Sequence, residues 1–242
     1  MKSAQIPQTI VAPDSWDDIT CGQFYRESLE LALSSWWPKL FGFHLIKVGA
    51  LSAEISITEC AIAHQVNVAP HGDNLHVVAD AHQLPFSEKS IDACLLAQTL
   101  SYSSDPHRVL REVDRVLVDD GWLILSTFNP ISLVGLGKLI PRLNKKHPYC
   151  SRMFTQMRIT DWLGLLNYEV IHQTHFHVTP WRRNKGKLNK HIPMLGCLTL
   201  IIARKRTIPL TFTPMRARLR KASVRRTVGA TKIYRRWGGR LR

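Results

Sequence analysis

Gly49 follows the short apolar run Leu45-Ile46-Lys47-Val48, and Asp80 follows another, Leu75 to Ala79. A glycine at a strand end can make the tight turn that brings backbone N–H groups up to a nucleotide-like ligand. A carboxylate at a neighbouring strand end is purely an acceptor and suits an amino or hydroxyl donor on such a ligand. Seen alone, Asp80 would equally suit a surface turn. A glycine-rich turn of the G-x-G-x-G type also wants glycines two and four residues after the first; Leu51 and Ala53 stand there instead. A third apolar run, "IDACLLA", ends at Ala97-Gln98. Gly49, Asp80 and Ala97-Gln98 together point to non-covalent capture of a small ligand. The sequence displays no Ser-His-Asp or Cys-His arrangement.

The elements that must position these residues alternate. A lead-in helix is expected in "GQFYRESLELALSSWW", ended by Pro38. Short strands are expected at 45–48, 65–69, 75–79, 91–97 and 122–127. Asp105 can cap a helix whose first turn holds Pro106, with Val109, Leu110, Val113, Val116 and Leu117 on its apolar face and "DDG" at 119–121 as its stop. A further helix is expected over 158–166, then two late strands at 168–178 and 196–204, joined by a basic loop. Strands alternating with helices predict an α/β fold, a doubly wound, mostly parallel sheet with helices on both faces. Ligands of such sheets bind at the carboxyl ends of the strands, near the point where strand order reverses.

Charge divides the chain. Residues 1–169 carry 14 Lys+Arg and 18 Asp+Glu, a net of 14 − 18 = −4; residues 170–242 carry the remaining 33 − 14 = 19 Lys+Arg and no acid. Three parts are expected: a lead-in over 1–40, a domain over 41–206 and a basic tail over 207–242. The tail holds 11 Lys+Arg with Tyr234 and Trp237 among them. Such a run can be a solvated segment, or can bind RNA, another polyanion or an anionic membrane surface. The polar N-terminus does not read as a secretory signal, and the apolar run 195–203 is too short to span a bilayer. Five scattered cysteines without a CxxC pair fit a reducing compartment, so a cytoplasmic location is expected.

The segment from Asp80 to Pro130 resembles the centre of the class I S-adenosylmethionine-dependent methyltransferases, the small-molecule type in particular. The matching residues are Asp80-Ala81, Leu84-Pro85-Phe86, Ile91-Asp92, Asp105-Pro106, Leu110, Glu112, Arg115-Val116-Leu117 and Gly121. A looser resemblance covers about residues 40–205. It implies a Rossmann-like sheet ending in an antiparallel strand, and S-adenosyl-L-methionine as cofactor. It also implies that Asp80 takes a hydrogen bond from the adenine amino group and that the Ala81 N–H meets the ring. Ala97 and Gln98 would border the same site. The glycine motif is degenerate. Gly49 keeps the turn, but Leu51 adds a side chain where backbone should approach the ligand. Lys47 stands where the family has an acid for the methionine ammonium, and Asn67 is left to replace the acid that grips the ribose. The implied activity is methyl transfer to an unknown acceptor. The alternative is a non-catalytic protein of the same fold that binds nucleic acid through its tail.

Other constellations are read more plainly. Asn129-Pro130 is taken as a turn, Trp36-Trp37 and Phe41 to Phe43 as packing of the lead-in helix. His175 and His177 share a strand face, but without a nearby carboxylate or cysteine no metal site is expected.

Overall fold

The computed structural model describes residues 11–57, 59–138, 140, 146–176 and 196–207. Its centre is one sheet of seven strands: β1 (His44–Val48), β2 (His64–Ala69), β3 (Val77–Val78), β4 (Ile91–Ala97), β5 (Leu117–Phe128), β6 (Tyr168–Phe176) and β7 (Leu198–Lys205). Their order is β3-β2-β1-β4-β5-β7-β6. Pairs among β1 to β5 are parallel, and β7 runs antiparallel to both β5 and β6. The order reverses between β1 and β4, which places the crevice for a ligand at their carboxyl ends.

The helices are α1 (Gly22–Ser34), α2 (Ala50–Ala53), α3 (Thr99–Tyr102), α4 (Pro106–Val116), α5 (Leu133–Gly137) and α6 (Gln156–Leu165). In α4, Val109, Leu110, Val113 and Val116 form a buried stripe on one face of the sheet. The Asp105 carboxylate caps it, accepting the Arg108 N–H at 3.1 Å. On the other sheet face, Tyr25, Leu29 and Leu33 of α1, four residues apart, join a second core with Trp16, Leu45, Leu95, Ile124 and Leu200. β4 is buried on both faces except at Asp92, as expected of a central parallel strand covered by helices.

Several boundaries differ from expectation. The helix begun by Pro106 stops at Val116, not at Asp119, and Leu117 already lies in β5. Pairing overrides the helical pattern here: Ile91 meets Leu117, and Ala93 next meets Trp122. The loop absorbs the extra residues through Asp120, which adopts a positive φ of 64°. β3 is only Val77–Val78, an edge strand with Val78 exposed. α1 ends at Ser34, and Trp37–Lys39 forms a separate 3₁₀ turn. Trp37 is buried, but Phe41 and Phe43 are exposed and contribute no packing to the lead-in helix. The compact unit ends at Thr207; the basic segment from 208 lies outside the described residues.

Candidate functional site

At the end of β1 the chain turns through Gly49, with φ 101° and ψ 148°. The Gly49 N–H donates to the Val68 carbonyl at 2.7 Å, and its carbonyl accepts from Ser52 and Ala53 N–H. A Cβ at this position would meet Thr99 Oγ1 at 2.8 Å. Glycine is thus required twice, by its conformation and by the closeness of β4's end. Both neighbouring hydroxyls converge on one atom: Ser52 Oγ and Thr99 Oγ1 donate to the Val48 carbonyl at 2.7 and 2.6 Å. Ser52 Oγ in turn accepts the Ala97 N–H at 2.7 Å. These bonds staple the carboxyl ends of β1 and β4 together.

Gln98 carries β4 into α3 in the left-handed conformation, φ 60°. Its side chain is fixed inward, donating to Ser126 Oγ at 2.9 Å and accepting from Ser101 Oγ at 3.2 Å. Ala97, Gln98 and Thr99 all line the crevice.

Leu51 is 4% exposed and belongs to the core beneath α1. Its carbonyl accepts the indole N–H of Trp16 at 2.9 Å. The residue in the second glycine position therefore latches the N-terminal segment, whose residues Val11 to Pro13 pass along the same crevice.

Lys47 and Asn67 are engaged elsewhere. The Lys47 ammonium is buried and donates to the Ile55 carbonyl at 2.8 Å, just beyond α2. Burial lowers its pKa, opposed by the charge of Glu30. The Asn67 amide donates to the Asn74 carbonyl at 2.8 Å, and its N–H to His76 Nδ1 at 2.9 Å. Neither lines the crevice; Ala69, Pro70 and His71 occupy its β2 end.

Asp80 and Ala81 stand at the end of β3's extension. Asp80 Oδ1 accepts two bonds from one residue, the His82 N–H at 2.9 Å and the His82 ring Nδ1 at 2.7 Å. Partial burial raises the Asp80 pKa, but the His82 bonds, the charge of His82 and that of Arg108 outweigh it and hold the carboxyl below its ordinary range. His82 Nε2 reaches Ser103 Oγ at 2.9 Å.

Gly49, Leu51, Asp80, Ala81, Ala97 and Gln98 meet on one cleft of about 540 Å³, a volume suited to a small ligand. Its walls are mostly apolar, and Asp80 is the one carboxylate among the described lining residues. Sequence reasoning missed Thr99, His82 and Ser103. Thr99 directly follows a strand-end pair already singled out, whereas the His82–Ser103 contact joins residues 21 apart and has no local signal. Asn129 is buried in the turn after β5, its amide donating to the Gly196 carbonyl at 3.0 Å. His175 bonds Thr199 Oγ1 and His172 packs on Trp36; His177 lies outside the described residues. No metal-ligand cluster occurs among the described residues.

Comparison with known proteins agrees with this geometry. A family model described as a methyltransferase domain matches residues 47–125, the segment from the Gly49 turn to the middle of β5. The Escherichia coli (strain K12) protein named Uncharacterized protein YafS is 58% identical over 233 residues, covering 96% of this chain and 97% of its own. Among solved structures, an S-adenosylmethionine-dependent methyltransferase of Thermotoga maritima matches with a TM-score of 0.57 at 20% identity, covering 76% of this chain and 91% of that one. The [4+2]-cyclase SpnF matches with a TM-score of 0.54 at 16% identity, covering 75% and 81%. Likenesses at such identities establish the fold, and one of them is to a cyclase. Strand order, the crevice at the β1–β4 reversal and the matching family model agree: residues 47–125 belong to a methyltransferase domain, on the fold of the class I S-adenosylmethionine-dependent methyltransferases, whose cofactor is S-adenosylmethionine.

Proposed function

We propose that the chain binds S-adenosylmethionine in this cleft and transfers its methyl group to a small acceptor. The observation that carries the reading is the convergence of the Gly49 turn and the Asp80 carboxylate on one apolar cleft at the strand ends. The residues fit the adenosyl part: Gly49 leaves backbone bare where a Cβ would collide, and Asp80 offers an acceptor beside Ala81. The methionine ammonium meets no carboxylate at the end of β1, and the buried Lys47 ammonium is tied to Ile55. When bound, the cofactor supplies a methyl group already activated by its sulfonium. The chain's own part is alignment and exclusion of water by apolar walls. Five free cysteines agree with the cytoplasmic location we propose.

Calorimetric titration with S-adenosylmethionine, for wild type and Asp80→Ala, tests the reading. Loss of a hydrogen bond to a charged group costs roughly 1.5–3 kcal/mol, about tenfold to a hundredfold in affinity. Equal affinity in both proteins removes Asp80 from the site; no binding by wild type removes the function.

A further inference from the structure

His82 lines the cleft with both ring nitrogens engaged, and the family reading gives it no task. Its N–H and Nδ1 both contact Asp80 Oδ1, and its Nε2 contacts Ser103 Oγ. Ser103 Oγ also accepts the Asp105 N–H at 3.1 Å, and Arg108 Nε donates to the His82 carbonyl at 3.2 Å. An ionised carboxylate can only accept, so Nδ1 carries a proton whether or not the ring is charged, and in the neutral ring Nε2 must accept. The chain of bonds in the neutral ring then runs one way. Asp105 N–H gives to Ser103 Oγ, the Ser103 hydroxyl gives to His82 Nε2, and Nδ1–H gives to Asp80 Oδ1.

This relay ties the end of the β3 segment to the start of α4, across the cleft mouth that both border. It also treats the two oxygens of Asp80 differently. Oδ1 is filled by His82, while Oδ2 has no hydrogen bond among the described residues, on a side chain that is 64% exposed. An unrestrained, exposed carboxylate would rotate and lose entropy on capturing a donor; this one is held in advance.

We infer that His82, clasped between Asp80 and Ser103, is a positioning residue that aims Asp80 Oδ2 into the cleft and so sets its selectivity for a ring bearing an amino donor. The inference rests on the proposed binding of the cofactor's adenine beside Asp80. A hypoxanthine ring, with a carbonyl in place of that amino group, presents an acceptor to the held carboxylate oxygen. Selectivity between the two rings is therefore the property that His82 controls, whereas loss of packing alone would weaken both ligands together.

The test is calorimetry of the full chain with S-adenosylhomocysteine and with S-inosylhomocysteine, for wild type, His82→Ala, His82→Gln, Ser103→Ala and Asp80→Asn. Wild type is expected to prefer the adenine ligand by about tenfold or more. His82→Ala should bring that preference to within about threefold, with Ser103→Ala intermediate. His82→Gln, which keeps a side-chain N–H donor, should restore part of it and guards against a folding defect in the alanine variant. A preference unchanged in both folded His82 variants, or an equal loss of affinity for both ligands, overturns the inference. Selectivity that survives Asp80→Asn removes the Asp80 reading beneath it. If wild type binds neither ligand, the proposed function itself fails.

Discussion

The Lys47 ammonium lies 2.8 Å from the carbonyl oxygen of Ile55, at the end of the turn that follows α2. A residue facing away from the cleft thus closes the segment carrying Ala50 and Leu51. The resemblance implies an acid for the cofactor at this position; here a cation holds a carbonyl that would otherwise lose its partner. Lys47→Met should cost about 1–3 kcal/mol of stability, the penalty for leaving a buried acceptor unpaired. Because Lys47 does not line the cleft, affinity for S-adenosylhomocysteine in the folded variant should stay within about twofold. Denaturant unfolding and calorimetry separate the two effects, and a large affinity change at unchanged stability would place Lys47 in the site after all.

The same lysine has a pH signature. Burial lowers its folded pKa below the ordinary 10.5, so over the window between the two values the unfolded chain binds more protons than the native one. Stability contributed through Lys47 then rises with pH, its cost being fully present below the folded pKa and relieved as pH approaches 10.5. The difference in unfolding free energy between wild type and Lys47→Met, followed from pH 7 upward, should shift in favour of wild type. A pH-independent difference would mean that the ammonium titrates alike in both states.

Gly49→Ala is expected to damage fold and site together. The substitution forces a side chain into a φ of 101° and sets its Cβ 2.8 Å from Thr99 Oγ1. Strain of this kind costs about 1–3 kcal/mol, and relieving it would part the β1 and β4 ends. Melting temperature and cofactor affinity should both fall; a variant that melts like wild type would contradict the tight approach.

Much of the fold is legible in the chain because its signals are local. The "IDACLLA" run, the Asp105-Pro106 start and the apolar stripe of α4 each declare their element within a dozen residues. The end of α4 is not legible, because pairing of Leu117 with Ile91 decides it. The site divides similarly. Gly49, Asp80 and Ala97-Gln98 stand at strand ends and could be named, whereas the destinations of Lys47 and Asn67 depend on carbonyls of loops, Ile55 and Asn74, that no spacing rule locates. Leu51 reads as an obstruction in sequence and is a packing contact of the N-terminal segment in the fold.

That role of Leu51 reverses an obvious engineering idea. Restoring glycine there would not simply open the turn: Leu51 is 4% exposed, packed in the core with Trp16. Leu51→Gly should cost about 2–5 kcal/mol for the deleted side chain and roughly 1 kcal/mol more for glycine in α2. Trp16→Phe, which removes the indole bond to the Leu51 carbonyl and leaves a cavity at a fully buried site, should cost at least about 1–3 kcal/mol. Both should weaken cofactor binding by releasing residues 11–13 from the cleft wall. Tighter binding by folded Leu51→Gly would show instead that the leucine obstructs the ligand.

The basic segment gives a last test that is separable from the cleft. Residues 207–242 carry 11 Lys+Arg and no acid. The described domain, by contrast, uses its last cation, Arg206, internally: it pairs with Glu169 and Asp120, and its N–H donates to the Asn167 carbonyl at 3.0 Å. A chain ending at Thr207 keeps those bonds and should keep its melting temperature and cofactor affinity. If the segment binds phosphates, the full chain should bind single-stranded RNA with an affinity that falls steeply as salt rises, the slope counting the phosphates neutralised. Tyr234→Ala with Trp237→Ala should lower the salt-resistant part by about 1–3 kcal/mol for each base stacked. Equal RNA affinity and equal salt slope in the truncated chain would exclude the segment as the binding element. Preference for anionic vesicles over RNA would assign it to a membrane surface, and a large drop in melting temperature would mean that it packs on the domain.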